Sequence, residues 1–173
     1  LAALKGFLET GNTEELRQYC DTLENRLLNI AEIPYTGNAA ADGVLYHYAC
    51  IAKEENISFK VCCRLDKLSI SDTDLCCLLG NVLDNAVTAC GRYDGERYIT
   101  VASEKNQDML LLTVDNSFDG MILKKEEKIL SRKRKDEAGI GICSMQQICE
   151  KYNGTSRFET AENQFEASFM IHI

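Results

Sequence analysis

Leu78-Leu79-Gly80-Asn81-Val82-Leu83-Asp84-Asn85-Ala86-Val87-Thr88-Ala89-Cys90 reads as an apolar helix carrying two carboxamides four residues apart. Asn81 and Asn85 therefore share one face, one turn from each other. Burying a carboxamide in an apolar helix is costly unless it is paired. Two kinds of partner fit. Nearby backbone groups would make this a core helix. A magnesium–phosphate group would make it a binding helix, because Mg²⁺ takes oxygen ligands and keeps water and phosphate oxygens in its shell.

The flanks of that helix set its context. Ser71 followed by Asp74 resembles a capping box whose acid is one carbon short. Gly91 marks the far end. Ile57 to Leu65, rich in β-branched and apolar residues, predicts a strand before it. Arg97 to Ser103 and Met109 to Asp115 predict two strands after it, joined by a polar turn at Glu104 to Asp108. Asn38 is placed to cap an earlier helix carrying Val44, Leu45, Tyr48, Ile51 and Ala52. A later helix is expected from about Ile142 to Tyr152, stopped by Asn153-Gly154, and Thr155 to Thr160 with Phe165 to Ile173 make a closing hairpin. The order is helix, strand, helix, two strands, loop, helix, two strands. It does not alternate as a parallel sheet requires. It predicts an α+β fold, a two-layer sandwich with a mixed sheet and helices on one face.

The N-terminal part reads differently. Leu16, Cys20, Leu23, Leu27 and Ile30 repeat at spacings of four and three, an a/d seam suited to a helical hairpin or helix dimer. Pro34, the single proline, and Gly37 break the pattern. Residues 1–34 are expected to be the end of a helical hairpin and 35–173 a separate domain. The chain opens at Leu1 inside a helical pattern, so a longer parent protein is expected, with any membrane segments upstream.

Composition narrows the function. Of 173 residues, 45% are hydrophobic and 27% charged, a globular balance. No apolar run approaches the roughly 20 residues that span a bilayer. The net charge of −8 argues against a general nucleic-acid binder. Against that acidic background, Lys124 to Lys135 (KKEEKILSRKRK) is a basic island, either a solvated loop or a contact for an anion such as a polyphosphate. The nine cysteines contain no C-x-x-C, and His47 and His172 lie outside zinc-finger spacing. Most of the thiols fall in apolar segments, so free cysteines and a reducing cytosol are expected.

Two more segments carry chemistry. Gly139-Ile140-Gly141 stands at a helix entrance, where unpaired N–H groups favour an anion. The third glycine and preceding strand of a dinucleotide site are missing, as is a P-loop lysine. The strand end Val114-Asp115-Asn116-Ser117-Phe118-Asp119-Gly120 offers a carboxylate and a carboxamide that could accept from an adenine amine, though the same residues build turns readily.

Taken together, these motifs resemble the ATP-binding part of sensor histidine kinases of the GHKL superfamily. More narrowly, they resemble the peptide-sensing quorum kinases of Gram-positive bacteria. LGNVLDNAVTAC matches the N box, VDNSFDG the first glycine box, and SRKRKDEAGIGICSMQQICEKYNG the lid, second glycine box and following helix. TGNAAADGVL and AKEENISF match further upstream.

The resemblance implies roles. Asn85 would hold Mg²⁺, and Asn81 would reach the phosphates or the metal shell. Asp115 or Asn116 would read adenine, with Gly120 closing a glycine box that is altered here. Gly139, Ile140 and Gly141 would let the lid close on the phosphates. Ser131, Arg132, Lys133, Arg134 and Lys135 occupy the lid, where one or two cations would contact the γ-phosphate; Asn81, Arg132 and Lys133 are the expected catalytic residues. The implied cofactors are ATP and Mg²⁺. The implied partners are an upstream histidine-bearing helix and a response regulator, with a homodimer for the full-length protein and a cytoplasmic place beneath a membrane anchor.

Two departures matter. ATP-hydrolysing branches of the superfamily carry Glu at the Asn81 position as general base. Asn cannot take a proton, so transfer to an external nucleophile is expected over hydrolysis. Neither His47 nor His172 matches the family's acceptor, and both are expected to be structural. The lid, roughly residues 117–137, is expected to be mobile without nucleotide. A nucleotide-free module docking through its N-terminal helix is the competing reading, motivated by the altered glycine box. A relative that phosphorylates protein serine would share the fold.

Overall fold

The computed structural model describes residues 36–121 and 140–173, with the backbone of two short strands at 124–125 and 128–129. The described residues lie within the unit Ile33–Ile173. The expected hairpin remnant at 1–34 lies outside them, as do Ser131, Arg132, Lys133, Arg134, Lys135 and Gly139.

Thr36-Gly37-Asn38 opens the domain through side-chain hydrogen bonds. Asn38 accepts from the Ala41 N–H and caps helix α1 (Ala39–Glu54). The buried Thr36 hydroxyl donates to Asp42 at 2.6 Å. Gly37 has φ +86°, and a Cβ there would lie 2.8 Å from the Asp66 Cβ, so glycine is required. Strand β1 (Ser58–Cys62) follows. It stops three residues short of the expected end, because Leu65 turns inward and its N–H bonds the Thr36 carbonyl.

Helix α2 (Asp72–Cys90) is the centre of the core. Leu75, Leu78, Leu79, Val82, Leu83, Ala86 and Cys90 are buried along it. Fully burying one such leucine contributes about 1.5–3 kcal/mol. Ser71 caps the helix, and Asn38 Nδ2 reaches Asp72 to tie the two helix starts together.

Strands β2 (Tyr98–Asn106) and β3 (Met109–Ser117) each run two or three residues past the expected end, leaving a two-residue turn with Gln107 at φ +52°. After the short strands β4 (Lys124–Lys125) and β5 (Lys128–Ile129), helix α3 (Ile140–Lys151) begins two residues earlier than expected. Gly141 therefore belongs to its first turn. Strands β6 (Thr155–Ala161) and β7 (Gln164–His172) form the closing hairpin.

The main sheet has the order β1-β2-β3-β7-β6. The β1–β2 pair is parallel and the rest antiparallel, giving the expected mixed sheet. Register sorts its two faces. Ile99, Val101, Leu110, Leu112, Val114, Ala167, Phe169 and Ile171 are buried at 0–1% exposure and join the core with α1, α2 and α3. The alternate residues form the other face, where Leu111 and Met170, paired across β3 and β7, are exposed. The α+β architecture with helices on one face is as expected.

The cysteines are less uniform than a small-hydrophobe reading implies. All eight that are described are free thiols, but only Cys90 and Cys149 are buried, while Cys62, Cys77 and Cys143 are exposed. His47 and His172 are both exposed, His47 lying edge-on to Tyr48. No described helix is long and apolar enough to cross a membrane.

Candidate functional site

The site forms where the middle of α2 meets the first turn of α3. Asn81 sits half-buried on α2, and its Nδ2 donates to the Cys77 carbonyl one turn back at 2.8 Å. That bond orients the amide and turns Oδ1 toward α3. A Cβ on Gly141 would lie 3.4 Å from Asn81 Oδ1 and 3.7 Å from Asn85 Nδ2. The fold thus brings to both asparagines the second glycine of the G-I-G motif, which lies 56 residues beyond Asn85 in the chain. Asn85 is exposed at this junction. From α1, the Tyr48 hydroxyl donates to the Gly80 carbonyl at 3.0 Å, holding α2 one residue before Asn81. Burial, and then the nearby Asp84, push the Tyr48 phenol up, so it remains the donor.

The strand end separates two residues that adjoin in sequence. Asn116 pairs in register with Ile99 and Phe165, on the helix-covered face, and is 2% exposed. Its Nδ2 donates to the Ser117 carbonyl at 2.9 Å. Asp115 points the opposite way. It pairs with Thr100 and Glu166 and accepts from Gln164 Nε2 at 2.9 Å and the Tyr98 hydroxyl at 3.3 Å. Burial raises its pKa against those two hydrogen bonds, with Glu166 adding to the rise. Of the two candidates for reading a base, the structure brings only Asn116 to the α2 side; strand alternation puts Asp115 on the opposite face. A cavity of about 330 Å³ beside the Asp115 partners Tyr98 and Gln164, lined also by Tyr93 and Glu96 among others, includes none of the expected nucleotide residues.

Gly120 is placed at the β6–β7 turn. Its φ is +73°, and a Cβ there would meet the Glu162 carbonyl at 3.4 Å. Ser117 and Phe118, expected at the start of the mobile lid, are instead buried, and the Phe118 N–H bonds the Asn163 carbonyl. Phe118 meets Phe165 edge-on at 6.1 Å. Period-two alternation through Ile99 and Phe165 was the sequence signal for the walls beside Asn116, neither of which motif reading singles out.

The donor set suits Mg²⁺. Carboxamide oxygens are hard ligands, and the absence of a side chain at Gly141 leaves a gap between Asn81, Asn85 and a helix N-terminus that favours phosphate. Among the described residues no cluster of three or more His, Cys, Asp or Glu could hold a metal by protein ligands alone.

Comparison with known proteins bears on the family and the fold. The GHKL domain family matches residues 70–172, more than half of the chain. Curated proteins yield no match. Among solved structures, the catalytic domain of the histidine kinase ThkA is similar, with a TM-score of 0.63 at 21% identity over 79% of this chain and 94% of that one. The Acinetobacter baumannii histidine kinase AdeS is similar with a TM-score of 0.63 at 16% identity, over 92% of this chain and 76% of that one. The mycobacterial sensor histidine kinase MprB gives 0.56 at 15%, over 77% and 93%. These likenesses are of fold, and the match over residues 70–172 carries the family: the chain belongs to the GHKL family of ATP-binding domains.

Proposed function

We propose that this chain is the catalytic part of a two-component sensor histidine kinase, positioning Mg-ATP for γ-phosphoryl transfer to a histidine on an upstream helix. The carrying observation is the meeting of Asn81, Asn85 and Gly141 at the start of α3. Residues 1–34 would end the dimerisation hairpin, and residues 35–173 would be the catalytic domain. Quorum-peptide sensing and a response regulator as the onward acceptor are the finer reading drawn from the sequence motifs.

Each residue has a chemical task. Asn85, with Asn81, would hold Mg²⁺, which when bound neutralises phosphate charge. The first-turn N–H groups of α3 bind the phosphates, and Gly139 and Gly141 let backbone approach. Asn116 accepts from the adenine amine through Oδ1. Arg132 and Lys133, with Ser131 and Lys135 beside them, bring donors to the γ-phosphate as charge moves to the leaving oxygen. Asn81 cannot deprotonate water, which disfavours hydrolysis and leaves the γ-phosphate for the histidine.

Calorimetric titration with a non-hydrolysable ATP analogue tests this, first with Mg²⁺ and then with EDTA. Binding is expected with Mg²⁺ and lost with EDTA. Asn85→Ala should keep the circular dichroism of the parent and weaken binding by at least about tenfold, the loss of a charge-assisted contact. A folded parent that binds nothing would instead favour an interaction module, with Phe118 filling the altered glycine box.

A further inference from the structure

The acid one carbon short at Asp74 has an unexpected use. In a capping box the third helical residue reaches back to the N-cap N–H. Here Asp74 does not. The Ser71 N–H donates instead to the hydroxyl oxygen of Tyr152 at 3.0 Å, from just beyond the end of α3. That hydroxyl donates in turn to Asp74 Oδ2 at 2.6 Å. The same oxygen accepts from Ser71 Oγ at 2.8 Å and from Lys151 Nζ at 2.7 Å. Tyr152 is also fixed to the sheet, its carbonyl accepting from the His172 N–H at 3.1 Å.

The spacing links this cluster to the nucleotide site. Eleven residues separate Asp74 from Asn85, and eleven separate Gly141 from Tyr152. Eleven residues are about three turns, so Asp74 and Asn85 share one face of α2, and Tyr152 follows the end of α3 about three turns' length after Gly141. The helices run antiparallel, because the end of α3 meets the start of α2 while the start of α3 meets Asn81 and Asn85. Pinning one end therefore sets the axial register at the other.

We propose that Asp74 and Tyr152 form a positioning latch, a capping box completed from a second helix, that sets the register of α3 and so the place of its N-terminus against Asn81 and Asn85. The latch gives Asp74 a role in nucleotide binding without contact to nucleotide. The affinity part of this inference rests on the ATP-binding reading; the holding of α3 does not. Lys151 is 60% exposed, so its ion pair is screened and the Tyr152 bond carries the latch.

Asp74→Glu separates capping from latching. The longer acid can reach the Ser71 N–H and complete the box within α2, displacing the Tyr152 hydroxyl while preserving charge and cap. Tyr152→Phe removes the hydroxyl alone. In both variants, amide exchange across residues 142–149 of the apo protein should speed up by about tenfold, the loss of one charge-assisted hydrogen bond, while α2 beyond its first turn exchanges as in the parent. The thermal midpoint of Asp74→Glu should stay at or above the parent's. Affinity for the Mg²⁺-bound ATP analogue should fall several-fold, with that for adenosine unchanged. Unchanged exchange in α3 overturns the latch whether or not the parent binds nucleotide. Faster exchange with unchanged analogue affinity in a binding parent overturns its positioning role. A parent that binds no nucleotide overturns that role as well, together with the ATP reading, and leaves exchange to decide the latch.

Discussion

Two adjacent residues show how much a single position determines. Asp115 and Asn116 differ by one place on β3, and that place puts one on the open face and the other on the helix-covered face. We expect Asn116→Ala to weaken nucleotide binding by about tenfold, the loss of one specific hydrogen bond at a buried site. Asp115→Ala should leave affinity within about twofold, within the scatter of a residue with no contact. The reverse ranking by calorimetry would assign the base to the other face. Gly141 sets stability against function. Alanine in a helix is favoured over glycine by about 1 kcal/mol, so Gly141→Ala should raise the urea midpoint. Its Cβ would sit in contact with Asn81 Oδ1 at 3.4 Å and take up the gap, so the same variant should bind the ATP analogue more weakly. A variant both stabler and equally tight would mean that the gap beside the asparagines is not used.

At the scale of elements, α2 has two duties. One side carries the leucines of the core and another carries the asparagines. Stability and binding can therefore be perturbed separately. Leu83 is fully buried. Leu83→Ala should cost about 2–5 kcal/mol, read from urea unfolding, because the cavity left in a packed core collapses only partly. A cost below about 1 kcal/mol would place the core elsewhere. Most elements were legible because each has a local cause: Asn38 and Ser71 cap, Asn153-Gly154 stop, and the strands alternate. The ends were less so. β1 stops early because Leu65 is drawn inward to Thr36, and β3 runs on through Ser117 because Tyr98 N–H and the β6–β7 turn bond its end. Those are non-local contacts that no window of neighbouring residues contains.

For the whole molecule, acid stability should report the α2–α3 contact. Hydrogen bonds from Lys151, Tyr152 and Ser71 lower the Asp74 pKa from 3.8 to about 2. A carboxyl held lower in the folded state favours folding when ionised. Its contribution is full above about pH 4 and is lost as pH falls through about 2. The urea midpoint of the parent should exceed that of Asp74→Asn at about pH 5, and the gap should close by about pH 2. A gap independent of pH would mean that packing, not charge, makes the contact.

The sequence by itself determined the α+β class, the order of the helices and the main-sheet strands, though not the short strands β4 and β5, and the two asparagines on one helix face. Each follows from periodicity or a local cap, which neighbouring residues settle among themselves. The G-I-G motif and the N box could be named separately, but their meeting could not, since it depends on two helices packing antiparallel on a sheet. Only the tertiary structure separated Asn116 from Asp115, because the face of a strand is set by which side the helices cover. It also recruited Tyr152 to the Ser71 cap. A hydrogen bond across 81 residues has no signature in either segment; it exists because the end of one helix is carried to the start of another.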